Sequence, residues 1–253
     1  MSQTISFEGT GPQPVFHTVQ GEGIFVGRLS TFVRFYGCNQ SCSWCDTKPS
    51  WNESMGQRKT VTYDDRRSVF SWDNEEVFPV RGNHIVITGG NPMLPQHRAA
   101  VRALLWALEH PAPTFTIETN AYGVDTIPTA DDAKLAGPLA ERLLWSLSPK
   151  LASWDGVAIN GFLRFAYENL NQVQMKLVLT TVEELGVVQQ LVASLSSRSR
   201  AVLESSTLVI QPEWSVTTKI SQGIIGDPRL RLLSPYFNDV RVLPQVHKSL
   251  RIL

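Results

Sequence analysis

Residues 36–47 read Tyr36-Gly37-Cys38-Asn39-Gln40-Ser41-Cys42-Ser43-Trp44-Cys45-Asp46-Thr47 and hold all three cysteines of the chain, at the spacing C-x3-C-x2-C. A disulfide with one leftover thiol is disfavoured because the number is odd and the spacing is too tight for ordinary bridging. Zinc would need a fourth ligand brought from a distance, such as His17 or His84. We therefore predict an iron–sulfur cluster. A [4Fe–4S] cluster usually takes four cysteines, so three would leave one iron open to an exogenous ligand.

The composition limits the class of protein. The chain has 253 residues, 42% of them hydrophobic, and Lys+Arg and Asp+Glu are both 23. This length suits a single large α/β domain, and the absence of a basic excess argues against a nucleic-acid partner. The first residues lack the pattern of a signal peptide, and no apolar run approaches transmembrane length. We expect no membrane partner and a reducing cytoplasmic location, which fits unbridged thiols.

Strand and helix patterns alternate along the chain. Strands are predicted at 15–19, 30–36, 84–88, 114–120, 143–147, 173–179, 207–210 and 239–243. Helices are predicted at 95–109, 131–142, 161–171, 182–196 and 217–233, the last broken near 223–228. Residues 1–14 are predicted to be an irregular arm, and 48–83 a variable insertion with a short helix around 62–70. The alternation predicts one α/β domain over 1–253, a partial (β/α) barrel of about six parallel strands.

Two features near the cysteine motif suggest a ligand. The glycines of Gln20-Gly21-Glu22-Gly23 let the backbone approach a ligand closely, and Glu22 can accept two donors at once. Arg34 lies four positions before Cys38, at the end of a predicted strand, where a guanidinium can clamp a carboxylate through two hydrogen bonds. A surface turn and an ion-paired arginine are the alternatives that these residues alone leave open.

The motif with its flanks resembles a known family. C-x3-C-x2-C is similar to the cluster motif of radical S-adenosylmethionine (SAM) enzymes. Three stretches narrow the resemblance to the 7-carboxy-7-deazaguanine synthases: Gln20–Gly23, Phe32–Asn39 and Cys42–Thr47. The resemblance implies a radical SAM barrel with an abbreviated helix set. It also implies conversion of 6-carboxy-5,6,7,8-tetrahydropterin to 7-carboxy-7-deazaguanine, on the route to queuosine and related deazapurines.

The resemblance also implies a set of site residues. Cys38, Cys42 and Cys45 would bind a [4Fe–4S] cluster whose open iron takes SAM, and Thr47 would bind Mg²⁺. The residues implied for SAM are Trp44, Asp46, Gly89, Gly90, Asn91, Glu118, Thr119, Asn120, Ser148, Pro149, Lys150, Gln211, Pro212, Glu213 and Trp214. The residues implied for the pterin substrate are Val19, Gln20, Gly21, Glu22, Arg34, Thr88, His247 and Leu253.

Two details of that set are specific. The family usually reads T-G-G-E-P where this chain has Thr88-Gly89-Gly90-Asn91-Pro92, so Asn91 lacks the charge that a carboxylate would offer the SAM amino group. The tail 244–253 resembles the family's P-Q-x-H-K ending, in which the terminal carboxylate, here that of Leu253, folds back onto the substrate.

The resemblance further implies a flavodoxin- or ferredoxin-type electron donor and a homodimer. Two other functions share the cluster motif. One is an activase that makes a glycyl radical on a partner protein, which would need a docking surface rather than a small-molecule clamp. The other is an iron–sulfur or zinc-binding relative without catalysis, which only Asn91 favours.

Overall fold

A computed structural model of the chain describes residues 3–7, 15–52, 54–55, 59–64, 69–72, 75–79, 83–107, 114–132 and 141–252. The strands are β1 Gln3–Phe7, β2 Val15–Val19, β3 Leu29–Phe35, β4 Lys59–Asp64, β5 Val69–Trp72, β6 Glu75–Pro79, β7 His84–Gly89, β8 Thr114–Thr119, β9 Leu143–Leu147, β10 Gln172–Leu179, β11 Thr207–Pro212 and β12 Asp239–Val242. The α-helices are α1 Arg98–Ala107, α2 Gly156–Glu168, α3 Glu184–Ser194, α4 Ser197–Leu203, α5 Thr217–Gly226, α6 Pro228–Leu233 and α7 Val246–Leu250.

The chain divides into two compact units. The first comprises Met1–Thr18, Leu29–Thr119 and Pro128–Leu143, and the second comprises Val19–Arg28, Asn120–Ile127 and Leu144–Leu253. In the first unit the strands follow the order β8-β7-β3-β2, in which β3, β7 and β8 are parallel. This unit also holds a separate antiparallel sheet in the order β1-β4-β5-β6.

The second unit has its own row of strands in the order β12-β11-β10-β9, and all of its pairs are parallel. Its strands are apolar on both faces: Leu208, Val209 and Ile210 of β11 are fully buried in succession. Ile85, Val86 and Ile87 show the same burial on β7 in the first unit. Such continuous apolar runs are expected where a parallel sheet is covered on both sides.

The fold-class prediction is confirmed at the level of an α/β fold with mostly parallel strands. Neither row of strands closes on itself in the described residues, so the structure does not confirm the barrel character. The parallel strands are β3, β7, β8, β9, β10, β11 and β12, one more than the predicted six or so. The single-domain assignment stays a prediction.

Several local predictions were wrong. The short helix predicted around 62–70 is replaced by the strands Lys59–Asp64 and Val69–Trp72. The arm 1–14 contains the strand Gln3–Phe7, which pairs with β4 far along the chain.

The predicted helix 161–171 begins earlier, at Gly156, because the Asp155 carboxylate accepts from the N–H groups of Val157 and Ala158. Most of the helix predicted at 131–142 lies outside the described residues. Across the described residues, none of the helices has the length and apolar character needed to cross a membrane.

Candidate active site

Three polar side chains lie at the C-terminal ends of neighbouring strands in the first unit. Arg34 on β3 is in register with Thr88 on β7, and Thr88 Oγ1 donates to Glu118 Oε2 on β8 at 2.8 Å. Parallel α/β sheets bind their ligands outside the carboxyl ends of the strands. These three predicted site residues therefore lie where this fold class places a ligand.

The guanidinium of Arg34 is the main positive charge of this group. It lies over the Phe16 ring, 4.7 Å from the ring centroid, and its Nε has no hydrogen-bond partner among the described residues. Burial lowers the pKa of Arg34, while the negative charges of Asp46, Glu118 and Cys45 act in the opposite direction. A half-buried cation whose Nε–H is buried and unfilled suits an anionic ligand such as a carboxylate.

The cysteine loop follows directly after β3. Cys38, Cys42 and Cys45 form no disulfide, and each is partly exposed. Trp51 Nε1 donates to Cys45 Sγ at 3.4 Å, and Thr47 Oγ1 lies 3.6 Å from the same sulfur. Unbridged, accessible thiols are suitable ligands for an iron–sulfur cluster, and a hydrogen bond to a ligating sulfur tunes such a centre.

The glycines of the turn after β7 are required by close packing against the start of this loop. Gly90 N donates to Phe35 O at 3.0 Å, and Asn91 N donates to Gly37 O at 2.8 Å. A Cβ on Gly89 would lie 2.0 Å from Phe35 O, and one on Gly90 would lie 2.1 Å from Gly37 O. The turn thus supports the segment that carries Cys38, and a side chain at either glycine would push the two apart.

Asn91 is fully buried, and both ends of its side-chain amide form hydrogen bonds. Its Oδ1 accepts from Thr119 Oγ1 at 2.9 Å and from Met93 N at 3.1 Å, while its Nδ2 donates to Asn39 Oδ1 at 3.2 Å. The amide therefore links the turn, the end of β8 and the cysteine loop. These contacts give Asn91 a structural role in this chain.

A second polar group lies in the second unit and is centred on Glu22. Lys176 forms an ion pair with Glu22 Oε2, and the two side chains are only 8% and 13% exposed. Glu22 Oε1 accepts from Gln211 Nε2 at 2.9 Å and from Gln245 Nε2 at 2.7 Å. The carboxylate is thus held by three donors from separate parts of the unit.

The loop that carries Glu22 is anchored to β10. Gln174 Oε1 accepts from Ile24 N at 2.8 Å, and Gln174 Nε2 donates to Ser146 Oγ at 2.8 Å. Gln20 is buried, and its Oε1 accepts from Glu22 N at 3.2 Å, so this oxygen braces its own loop. These bonds give the Gln20–Gly23 loop a defined shape.

The C-terminal tail folds onto the same loop. Val246 N donates to Gly21 O at 2.9 Å. A Cβ on Gly21 would lie 2.2 Å from His247 Nδ1, which shows how closely the imidazole lies against the loop. His247 is therefore in close contact with Gly21, whereas Leu253 lies outside the described residues.

The remaining predicted SAM residues in the second unit have local partners. Lys150 Nζ donates to Ser148 Oγ at 3.2 Å, and Asn120 Oδ1 accepts from Tyr122 N at 3.1 Å. Glu213 caps a short 3-10 helix by accepting from Ser215 N at 2.9 Å. Of the other predicted residues, Pro149 and Pro212 are buried, Val19 and Trp44 are half-buried, and Asp46 and Trp214 are exposed.

Sequence reasoning missed two residues that hold Glu22, Lys176 and Gln245, and one that anchors its loop, Gln174. Lys176, Gln174 and Gln245 were not predicted as part of any site. The available signal was the alternation Gln172, Gln174, Lys176 within an otherwise apolar strand, because polar residues at every second position of a buried strand mark one face for a polar partner.

Comparisons with known proteins agree with the motif. Residues 19–137 match the family described as the 4Fe-4S single cluster domain. A 7-carboxy-7-deazaguanine synthase of Hyperthermus butylicus is 36% identical over 118 residues, which is 47% of this chain and 45% of that protein. The protein of the same name from Prochlorococcus marinus is 32% identical over 113 residues, 44% of this chain and 48% of the relative.

One relative matches this chain over a longer stretch but at lower sequence identity. The 7-carboxy-7-deazaguanine synthase of Synechocystis sp. is 26% identical over 221 residues, which is 86% of each chain. The matched stretch thus spans about half the length of the first two relatives and most of the third. The resemblance predicted from the motifs is confirmed by these matches.

Proposed function

We propose that this chain is a radical SAM enzyme that converts 6-carboxy-5,6,7,8-tetrahydropterin into 7-carboxy-7-deazaguanine with loss of ammonia. One observation carries the proposal: three unbridged, accessible thiols at C-x3-C-x2-C spacing lie within the stretch that matches the cluster family. The names of the relatives support this choice of reaction among radical SAM enzymes.

Cys38, Cys42 and Cys45 would hold three irons of a [4Fe–4S] cluster, because the sequence has no fourth cysteine. When bound, the cluster supplies the one-electron reduction of SAM that starts hydrogen abstraction from the substrate. The chain's own part is to position and shield the reactants. The indole N–H of Trp51 would stabilise the thiolate of Cys45.

The residues proposed for SAM lie on short segments that the resemblance identifies. In the first unit these are the Gly89–Asn91 turn, Trp44 and Asp46 of the cysteine loop, and Glu118 with Thr119. Because Asn91 Oδ1 already accepts two hydrogen bonds, backbone carbonyls of the turn and Glu118 would bind the SAM amino group. The segments in the second unit are Asn120, Ser148–Lys150 and Gln211–Trp214.

Separate residues are proposed for the carboxylate of the pterin and for its ring. Arg34 carries the buried N–H donor that suits its carboxylate. Glu22 and Gln20, with Val19, Gly21, Thr88 and His247, would face the amine and amide edge of the ring. The docking of His247 on Gly21 supports a role for the tail in covering the substrate, with Leu253 completing it.

Further parts of the proposal rest on the resemblance. Thr47 would bind Mg²⁺, a hard cation that keeps several waters and needs few protein ligands. An external flavodoxin- or ferredoxin-type protein would supply the electron. A cytoplasmic homodimer acting in queuosine or related deazapurine biosynthesis is the proposed context.

An anaerobic product assay tests the proposal. The reconstituted protein is reduced with dithionite and given SAM, Mg²⁺ and the carboxytetrahydropterin, and the products are identified by mass spectrometry. We expect 7-carboxy-7-deazaguanine from the wild type and no SAM cleavage from Cys42→Ala. SAM cleavage without the deazaguanine would refute the assigned substrate, and favours the activase alternative. No cleavage at all by cluster-loaded protein would favour the non-catalytic relative.

A further inference from the structure

The amide of Gln211 has a fixed orientation. Gln211 is fully buried, and its Nε2 donates to Glu22 Oε1 at 2.9 Å. An ionised carboxylate only accepts hydrogen bonds, so the nitrogen of the amide must face Glu22 and the oxygen must face away. The ion pair with Lys176 keeps Glu22 in its ionised form.

The outward-facing oxygen lacks a donor. Gln211 Oε1 is buried and has no hydrogen-bond partner within the described ranges of the chain. A buried acceptor without a donor is costly, so native proteins rarely keep one unless a ligand or ordered water completes it. At this position the fixed amide presents its oxygen, which can accept an N–H from such a ligand but cannot donate to it.

We propose that Lys176 and Gln245 are positioning residues: by holding Glu22, they lock the orientation of the Gln211 amide. The locked oxygen of Gln211 then selects a ligand that carries an amine N–H over one that carries an oxo group in its place. Lys176 fixes one oxygen of the Glu22 carboxylate, and Gln245 shares the other with Gln211. This deepens the proposed function and rests on it. Both the pterin ring and the adenine of SAM carry an exocyclic amine, so either ligand supplies the required chemistry.

Two matched ligand pairs separate these sources. Equilibrium binding to the cluster-loaded protein is measured for 6-carboxypterin against 6-carboxylumazine, and for S-adenosylhomocysteine against S-inosylhomocysteine. Each pair replaces the amine by an oxo group. We expect wild type to prefer the amine about tenfold or more in one pair, because the oxo ligand would leave Gln211 Oε1 without a donor.

Substitutions of glutamine test whether Gln211 is the residue that gives the preference for the amine ligand. Gln211→Met should bring that preference close to one. Gln174→Met is the matched control: Gln174 is also a buried glutamine, but both ends of its amide are bonded within the protein. We expect this control to lower the melting temperature and to retain the preference.

A double substitution separates positioning from plain structural support. Lys176→Met leaves Glu22 buried without its cation and should lower both melting temperature and preference. Combining it with Glu22→Gln removes the unpaired charge and should restore the melting temperature but not the preference, since a neutral amide no longer fixes Gln211. Gln245→Met should reduce the preference with a smaller loss of stability.

The inference would be overturned by unchanged amine preference in Gln211→Met, or by full recovery of the preference in the double variant. A wild type that does not distinguish the ligands of either pair would also overturn it. Intact preference in the adenosyl pair with no deazaguanine product would instead refute only the proposed substrate, so the two failures are distinguishable.

Discussion

Asn91 Nδ2 donates to Asn39 Oδ1 at 3.2 Å, which ties the turn after β7 to the residue that follows Cys38. The amide of Asn91 therefore supports the cysteine loop. With Asn91 completely buried, there is no room for a longer side chain without displacing its neighbours.

The burial of Asn91 predicts the effect of introducing glutamate, the residue that the resemblance implies at position 91. Asn91→Glu should destabilise the protein by about 1–3 kcal/mol, the usual cost of overpacking a filled site, and should not improve SAM affinity. Urea unfolding and SAM titration check the two expectations. Asn91→Gln is the control, because it adds the same length as glutamate without the charge. Tighter SAM binding by Asn91→Glu at unchanged stability would contradict this account.

Arg34 is expected to recognise a carboxylate through its fork of donors. Arg34→Lys should weaken binding of 6-carboxypterin about tenfold or more, since a lysine cannot make the paired charge-assisted hydrogen bonds worth about 1.5–3 kcal/mol. Binding of pterin without the carboxyl group should change little. Equal losses for the two ligands would show that Arg34 acts only on packing.

The docking of the C-terminal tail is expected to depend on Gly21. Gly21→Ala would place a methyl 2.2 Å from His247 Nδ1 and should undock the tail, which hydrogen exchange of residues 246–252 would detect. Substrate binding should weaken, while SAM cleavage without substrate should continue. Gly226→Ala is the control, because a Cβ there would meet nothing within 4 Å. Unchanged exchange in Gly21→Ala would contradict the close contact.

His97 is expected to make stability depend on pH. Burial lowers its pKa from the ordinary 6.5, and the hydrogen bond to Asn91 O at 3.3 Å only partly opposes this. The unfolded chain then binds more protons than the folded one, so the His97 contribution is present above about pH 6.5 and is lost as pH falls towards the folded pKa.

His97→Gln keeps a side-chain N–H donor and removes the titration. Urea unfolding at about pH 7.5 and pH 5.5 should show a smaller loss of stability on acidification than in wild type. An identical pH dependence in the two proteins would show that His97 does not titrate differently on folding.

The sequence predicted those elements whose signals are local. Runs such as Ile85–Ile87 and Leu208–Ile210 identify buried strands because both faces are apolar. The strands β1 and β4 escaped prediction because they are stabilised by pairing with each other across more than fifty positions, which no local window contains.

The candidate site residues also divide into those that have a local sequence signal and those that do not. Arg34, Glu22 and the three cysteines could be predicted from motifs. Lys176 and Gln245 could not, because their importance comes from the carboxylate they reach across the second unit. Likewise, Asn91 was expected to be a weakened SAM ligand, and only its contacts reveal the link to Asn39.

The central claim is that three cysteines leave one iron of a cluster open to SAM. The most direct measurement is electron–nuclear double resonance on anaerobically reduced protein with SAM isotopically labelled in its amino and carboxylate groups. We predict a [4Fe–4S] signal that couples to both labels and disappears in Cys42→Ala. Protein that contains no iron, or a cluster that shows no coupling to either label, would contradict the account.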